Sequence, residues 1–284
     1  MVGILGGSGV YELDGLVDAR WEKVESPFGA PSDELLFGEL HGVSLVFLPR
    51  HGRGHRIPPS EVNYRANIDA LKRAGVTDLL SLSACGSLRE GLAPGTFVLV
   101  DQFIDRTFGR ERSFFESGLV GHVSMAHPVC RRLGEALEEA AREVDVLAVR
   151  GGVYLAMEGP QFSSLAESEL YQGWGCDVIG MTNMPEAKLA REAELCYASV
   201  AMVTDYDCWK EGEEEVTVQM VIETMAANSR TARELLPELI KTAGGGGEAG
   251  CPCGSAAQHA IMTRPNAIPE EARRQLELLY SKYW

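Results

Sequence analysis

Short apolar runs and amphipathic stretches alternate along the chain, and glycine- or proline-bearing turns separate them. Residues 2–5 read as an apolar strand ending in Gly6-Gly7-Ser8-Gly9. Residues 35–51 read as two strands around a His41-Gly42 turn, followed by a polar loop over 50–56. A helix is expected over 59–74, with Val62, Ala66, Ile68, Ala70 and Leu71 at helical spacing, stopped by Gly75. Strands follow over 78–83, closed by a loop at 84–87, and over 96–103, closing with Asp105-Arg106-Thr107. The pattern then gives a helix over 129–144, a strand over 149–158, a helix over 163–174, a short strand over 178–181 and a helix over 185–195. A buried strand over 197–203 precedes a long helix over 218–243. The string Gly244 to Gly247 reads as a flexible linker, and 269–284 as a terminal amphipathic helix with Leu276, Leu279 and Tyr283 on one stripe. Alternating strands and helices with short connections, without an internal repeat, describe one α/β domain around a mostly buried sheet. Residues 1–243 form its body, and 244–284 are expected to complete the same domain.

Charge narrows the function. Across 284 residues, 26 basic against 41 acidic side chains give a net charge of −15. That argues against a nucleic-acid partner or an anionic membrane surface, while leaving room for a small anion held by a few local cations. Acidic runs such as 211–215 read as solvated faces. No apolar run approaches the ~20 residues that span a bilayer, and the N-terminus lacks the basic and apolar regions of a signal peptide, so a cytoplasmic protein is expected. Seven cysteines should then be reduced. Cys251-Pro-Cys253 is a CxC pair that suits half a metal site or a small strained disulfide. No second close cysteine or histidine pair completes a zinc set in sequence, so no metal is expected. Cys130, Cys196 and Cys208 are further candidates for pairing, and spacing does not choose among them.

Candidate chemistry gathers at strand ends. Asp205 and Asp207 follow the 197–203 strand, where open α/β sheets usually bind ligands. One carboxyl is placed to donate a proton to a leaving base and the other to accept from an amino group, which suggests purine chemistry. The glycine loop fails the dinucleotide fingerprint, because the third glycine would fall at Glu12, and it fails the phosphate-loop pattern for want of a following Lys-Ser or Lys-Thr. It remains either a tight turn or a cradle in which backbone N–H groups and the Ser8 hydroxyl surround one small anion. Arg50-His51 is either a surface basic loop or a partner for a tetrahedral oxyanion, since an arginine fork presents paired donors. Ser83-Ala84 and Thr182 add hydroxyls and a backbone amide, a set suited to inorganic phosphate. Cys85 reads as inert packing. Met181 suits either core filling or the face of a sugar, and His122 and His127 read as structural.

The stretches GILGGSGVY, PRHGRGHRIPPSEVNYRANI, SACGSLREGLAPGTFVLVDQFIDRT, EGPQFSSLAES, VIGMTNMPEAKLAREAELCYAS and TDYDCW resemble the S-methyl-5′-thioadenosine phosphorylases of the trimeric purine nucleoside phosphorylase family. The resemblance runs from the first residues to about Ile222. It implies a three-layer α/β/α domain with a central mixed sheet, and reversible phosphorolysis of methylthioadenosine to adenine and 5-methylthioribose 1-phosphate. Phosphate is the co-substrate, with no other cofactor.

By resemblance, phosphate lies against Ser8, Arg50, His51, Ser83, Ala84 and Thr182. Asp205 protonates or hydrogen-bonds N7, and Asp207 reads the 6-amino group. Met181 lies along the ribose, Phe162, Ser163 and Thr204 line the base side, and Val218, Val221, Ile222 and His122 wall the methylthio group. Ser163 and Val218 are expected to set specificity. Ser8 and Ser83 stand where many relatives carry Thr, and Gly180 replaces an Asn of animal members. The CxC tail resembles thermophilic archaeal members, in which CxC disulfides recur and specificity is broader. The resemblance thus also allows a broader purine nucleoside phosphorylase and, less readily, a nucleosidase that uses water. Trimers or pairs of trimers are implied, with sites near subunit boundaries.

Overall fold

The structure is a computed structural model and describes residues 1–7, 13–210, 218–243 and 251–284. Its elements run β1 (Val2–Gly6), β2 (Val17–Glu22), β3 (Leu35–Leu40), β4 (Val43–Pro49), α1 (Tyr64–Arg73), β5 (Asp78–Ser87), β6 (Phe97–Val100), β7 (Gln102–Arg106), α2 (Arg131–Glu143) and β8 (Ala148–Arg150). They continue with β9 (Val153–Met157), α3 (Leu165–Gly173), β10 (Val178–Gly180), α4 (Asn183–Glu192), β11 (Cys196–Asp205), α5 (Val218–Ala243), α6 (Glu270–Gln275) and α7 (Glu277–Tyr280).

Period-two alternation in the central strands divides the core between two faces. Ile4, Leu80, Leu82, Ala198 and Val200 pack with Leu133 and Leu137 of α2 and Leu235 and Leu239 of α5. Leu5, Leu79, Tyr197 and Ala201 face the other way, toward Ile68 and Leu71 of α1 and Ala187 and Leu189 of α4. The result is a helix–sheet–helix sandwich on a mixed sheet of eleven strands, the phosphorylase-like fold implied by resemblance.

Strand β5 organises the sheet. Along one edge it pairs in parallel with β11 from Asp78 to Gly86. Along the other it pairs with β1 only as far as Ser81, then takes β10 as an antiparallel partner from Gly86. Between Ser81 and Gly86 that edge has no strand beside it among the described residues, and the sheet splits there.

Several expected boundaries shift for local reasons. The 59–74 helix is broken: Pro59–Glu61 is a 3₁₀ turn, Val62 is extended, and Asn63 caps α1 by accepting from the Ala66 N–H at 3.1 Å. The expected loop at 84–87 is strand, because Gly86 and Ser87 pair with Ile179 and Val178. The 149–158 strand breaks at Gly151 and Gly152, both at positive φ. The 96–103 strand likewise divides into β6 and β7. The terminal helix is two short helices interrupted at Leu276 (φ −104°, ψ 11°). Strand β2 escapes the pattern altogether, since its side chains are mostly exposed at the sheet edge. The Gly244–Gly247 linker lies outside the described residues. Among the described residues, no helix is long and apolar enough to cross a membrane.

Candidate active site

A cavity of about 230 Å³ opens at the split in the sheet. Its floor is the unpaired stretch of β5 (Leu82, Ser83, Ala84), its sides are the ends of β10 and β11, and the N-terminal half of α5 lies across it through Val221 and Met225. Of the residues singled out above, Arg50, His51, Ser83, Ala84, Phe162, Met181, Thr182, Thr204, Asp205, Asp207 and Val221 all line this one space. A larger cavity of about 520 Å³ lies beside α2 and β6 and is lined by none of those eleven, though His127 borders it.

At one end the cavity meets a buried polar network. Leu82 O accepts from Arg50 Nη1 at 3.0 Å, so this peptide faces the unpaired edge of β5. Strand alternation turns the Ala84 peptide to the same edge. Ser83 Oγ donates to Asn183 Oδ1 at 2.8 Å, and Thr182 sits just before α4.

The structure corrects one expectation here. The paired donors of Arg50 do not face the cavity but grip Glu186, Nε to Oε2 at 2.8 Å and Nη2 to Oε1 at 3.2 Å, while Nη2 also donates to Ser81 Oγ at 2.7 Å. Arg50 is therefore a buried, ion-paired group that borders the cavity with its fork already engaged. Glu186 needs this partner because a lone buried carboxylate is costly. Its Oε1 also accepts from the Tyr197 hydroxyl at 2.9 Å.

His51 is neutral at this end. Burial and then the Arg50 charge push its pKa down to about 4. Its Nδ1 lies 2.8 Å from the Ile57 carbonyl. A carbonyl only accepts, so Nδ1 carries the hydrogen and Nε2 presents a lone pair. His55 stacks on the ring with centroids 4.3 Å apart.

At the other end stand the two aspartates. The β5–β11 register passes from Val203 opposite Cys85 to Asp205 opposite Gly86, so Thr204 is an extra residue in a bulge. Such a bulge re-aims the side chains beside it. Asp205 accepts from Thr204 Oγ1 at 2.6 Å and from the Asp207 N–H at 2.8 Å. Asp207 adopts φ 54°, a conformation aspartate tolerates, and accepts from the Ser168 hydroxyl. Burial raises the pKa of both carboxyls, and the neighbouring Asp205 charge adds to the effect on Asp207. Position 86 is crowded, since a Cβ there would lie 3.0 Å from Asp205 Oδ1 and 3.3 Å from Asp207 Cβ.

Other expected residues scatter. Ser163 stands behind the rim, its hydroxyl 3.4 Å from Met157 Sδ. Ile222 and His122 are exposed and do not line the cavity of this chain. Ser8 and the Val218 side chain lie outside the described residues. Cys85 borders the cavity, but burial raises its thiol pKa well above the ordinary value, which fits inert packing.

Sequence reasoning missed three supporting groups. Glu186 and Asn183 are buried beneath the polar end, as described. Arg110 donates to the carbonyls of Glu158 at 2.7 Å and Met184 at 2.7 Å, and to that of Met181, fixing both walls around Met181. A buried arginine amid RER charges gives no periodic signal, so only its contacts reveal it.

The seven cysteines are free thiols, and the disulfide suggested by the tail is not formed. Away from the cavity, however, Cys130 and Cys196 meet Cys251 and Cys253, all four sulfurs lying within 4.8 Å of one another. The missing half of the CxC set, absent from any local spacing, is supplied through space.

Residues 1–241 match the model of the phosphorylase superfamily. The chain is 63% identical to an S-methyl-5′-thioadenosine phosphorylase of Rhodospirillum rubrum, with 98% of this chain and 88% of the relative covered. It is 61% identical to the Cereibacter sphaeroides protein of the same name, covering 98% and 94%. A methylthioadenosine phosphorylase from an antarctic soil metagenomic library superposes with a TM-score of 0.93 at 43% identity, covering 98% of each chain. An adenosine/methylthioadenosine phosphorylase mutant of Schistosoma mansoni, in complex with methylthioadenosine, gives 0.79 at 43% identity, covering 86% and 91%.

Proposed function

This chain belongs to the phosphorylase superfamily, and from that premise we propose that it splits S-methyl-5′-thioadenosine with inorganic phosphate, reversibly, into adenine and 5-methylthioribose 1-phosphate. The observation that carries the reading is a single cavity with two aspartates at a bulged strand end and a ring of hydroxyl and amide groups opposite.

Phosphate occupies the end lined by Ser83, the Ala84 amide, Thr182, Arg50 and His51. Neutral His51 accepts there, through Nε2, the one hydrogen that a monohydrogen phosphate carries. The bond from C1′ to N9 breaks, its electrons leave with adenine, and N7 takes a proton from Asp205. A phosphate oxygen then bonds to C1′. The phosphate charge stabilises the cationic sugar, so positioning and electrostatics supply most of the rate. The raised pKa of Asp205 suits a proton donor. Asp207, steadied by Ser168, accepts from the 6-amino group, which a 6-oxopurine lacks.

Met181 lies along the ribose and Phe162 over the base. Val221 of α5 forms the methylthio wall, which Ile222 and His122 complete at a boundary between subunits of a trimer or pair of trimers. The exposure of Phe162 (51%) on the cavity lining and of Ile222 (59%) next to Val221 supports such a boundary. The enzyme works in the cytoplasm with phosphate as its only co-substrate.

The test compares adenine release from methylthioadenosine, adenosine and inosine with and without phosphate. Turnover that needs phosphate and favours methylthioadenosine is expected; an equal rate in phosphate-free buffer would mean a nucleosidase and end this reading.

A further inference from the structure

We propose that Cys130, Cys196, Cys251 and Cys253 form a structural zinc site that staples the C-terminal segment to the α/β body. The four sulfurs lie within 4.8 Å of one another, with Cys196 and Cys251 at 3.2 Å. A tetrahedral zinc–tetrathiolate with bonds of about 2.3 Å separates its sulfurs by about 3.8 Å, inside the spread seen here. A disulfide instead needs sulfurs about 2.05 Å apart, in one pair at a time. Four thiols converging on one point, rather than two resolved pairs, is the arrangement a single soft cation wants.

The origin of the ligands fits the role. Cys130 is the N-cap of α2 and Cys196 the first residue of β11, both rigid parts of the body. Cys251 and Cys253 come from the segment beyond α5, whose described residues 251–284 add no strand to the main sheet. Three of the four side chains are buried and Cys251 is half-buried, so the site is closed, as structural zinc sites are.

The surroundings suit the charge. Zinc with four thiolates carries two net negative charges, and two guanidiniums stand beside it. Arg191 Nη1 lies 3.6 Å from Cys253 Sγ. Arg132 interacts with Cys196, also pairs with the Asp78 carboxylate that stands beside the same thiols, and keeps a buried Nε without a hydrogen-bond partner in the structure. Groups that face the ligating sulfurs in this way orient and stabilise a metal centre. Binding Zn²⁺ displaces the thiol protons to solvent, with no change in oxidation state.

The staple adds to contacts that already dock the segment, among them Leu279 and Tyr280 buried in the core. Glu194, two residues before Cys196, accepts from the Ala257 N–H at 2.8 Å and from the Tyr283 hydroxyl at 2.6 Å, and pairs with Lys282. Metal loss should therefore loosen the tail rather than stop the chemistry.

The test is elemental analysis of the full-length protein purified under reducing conditions, with cobalt substitution and mass mapping of unreduced peptides. About one zinc per chain is expected, with the visible bands of tetrahedral tetrathiolate cobalt after exchange. Cys253→Ser and Cys130→Ser should lose the metal, and Cys208→Ser, on an exposed thiol, should keep it. Apo protein that takes up no zinc, iron in place of zinc, two mapped disulfides among these four residues, or metal retained in both Ser variants would each overturn the site. The metal content of the unaltered chain gives an answer even if a variant fails to fold.

Discussion

The two ends of the active-site cavity are built to different standards. Beneath the phosphate end, Arg50, Glu186, Asn183 and Tyr197 are all buried and bonded to one another. At the base end, Asp205 and Asp207 are only half-buried, sit on a bulge and a positive-φ residue, and lean on single hydroxyls from Thr204 and Ser168. Phosphate is the same in every substrate such an enzyme meets, so its end can be set in the core. The base and the 5′ group vary, and the aspartates proposed to read the base stand at a bulged strand end and in the turn after it, outside that buried network.

The sharpest way to break this contrast is Asp205→Asn. It removes a proton donor while leaving the cavity's shape, and kcat/KM for methylthioadenosine should fall roughly 10²–10⁴-fold. Thermal unfolding should change little, because the substitution keeps the side chain's shape and removes a charge that burial disfavours. Glu186→Gln strikes the other end. Leaving Arg50 buried without its carboxylate should cost about 3–5 kcal/mol of stability, read by denaturant unfolding. A variant as stable as the parent would show that the polar floor is not the rigid end.

A milder test is Ser83→Ala. It takes one hydroxyl from the phosphate rim and should raise the KM for phosphate several-fold, in line with about 0.5–1.5 kcal/mol for a hydrogen bond, while the KM for the nucleoside stays put. The smallest expected effect is on pH. His51 is neutral when folded, with a pKa of about 4 against 6.5 in the unfolded chain. Between those values the unfolded state binds more protons, so this contribution is complete above about pH 6.5 and is lost as pH falls toward 4. His51→Gln should flatten that part of a melting-temperature profile.

The same contrast explains what the sequence revealed. Strand ends were legible because buried strands are apolar runs, and functional side chains follow them directly, as in 197–203 before Asp205. The base end could thus be read locally, and so could Ser83, Ala84 and Thr182. The supports of the phosphate end could not. Glu186 grips Arg50 across 136 residues, and nothing in the periodicity of either segment announces the other. That is why Arg50 read as an open fork for an anion when its fork is already occupied. Likewise Cys130 stands far in sequence from Cys253, so no spacing rule joins them. The break at Asn63 and the polar edge strand β2 went unseen because capping and edge pairing depend on neighbours that periodicity does not encode.

Gly180 carries a consequence of its own. A Cβ built there would lie 1.9 Å from Tyr154 Oη, so the hydroxyl of one strand occupies the side-chain space of the next. Any side chain at 180 therefore needs Tyr154 to shift or shorten, and its Cβ would still lie 3.3 Å from the Ala84 carbonyl oxygen, so the narrowness of this wall belongs to neighbouring strands together rather than to one residue.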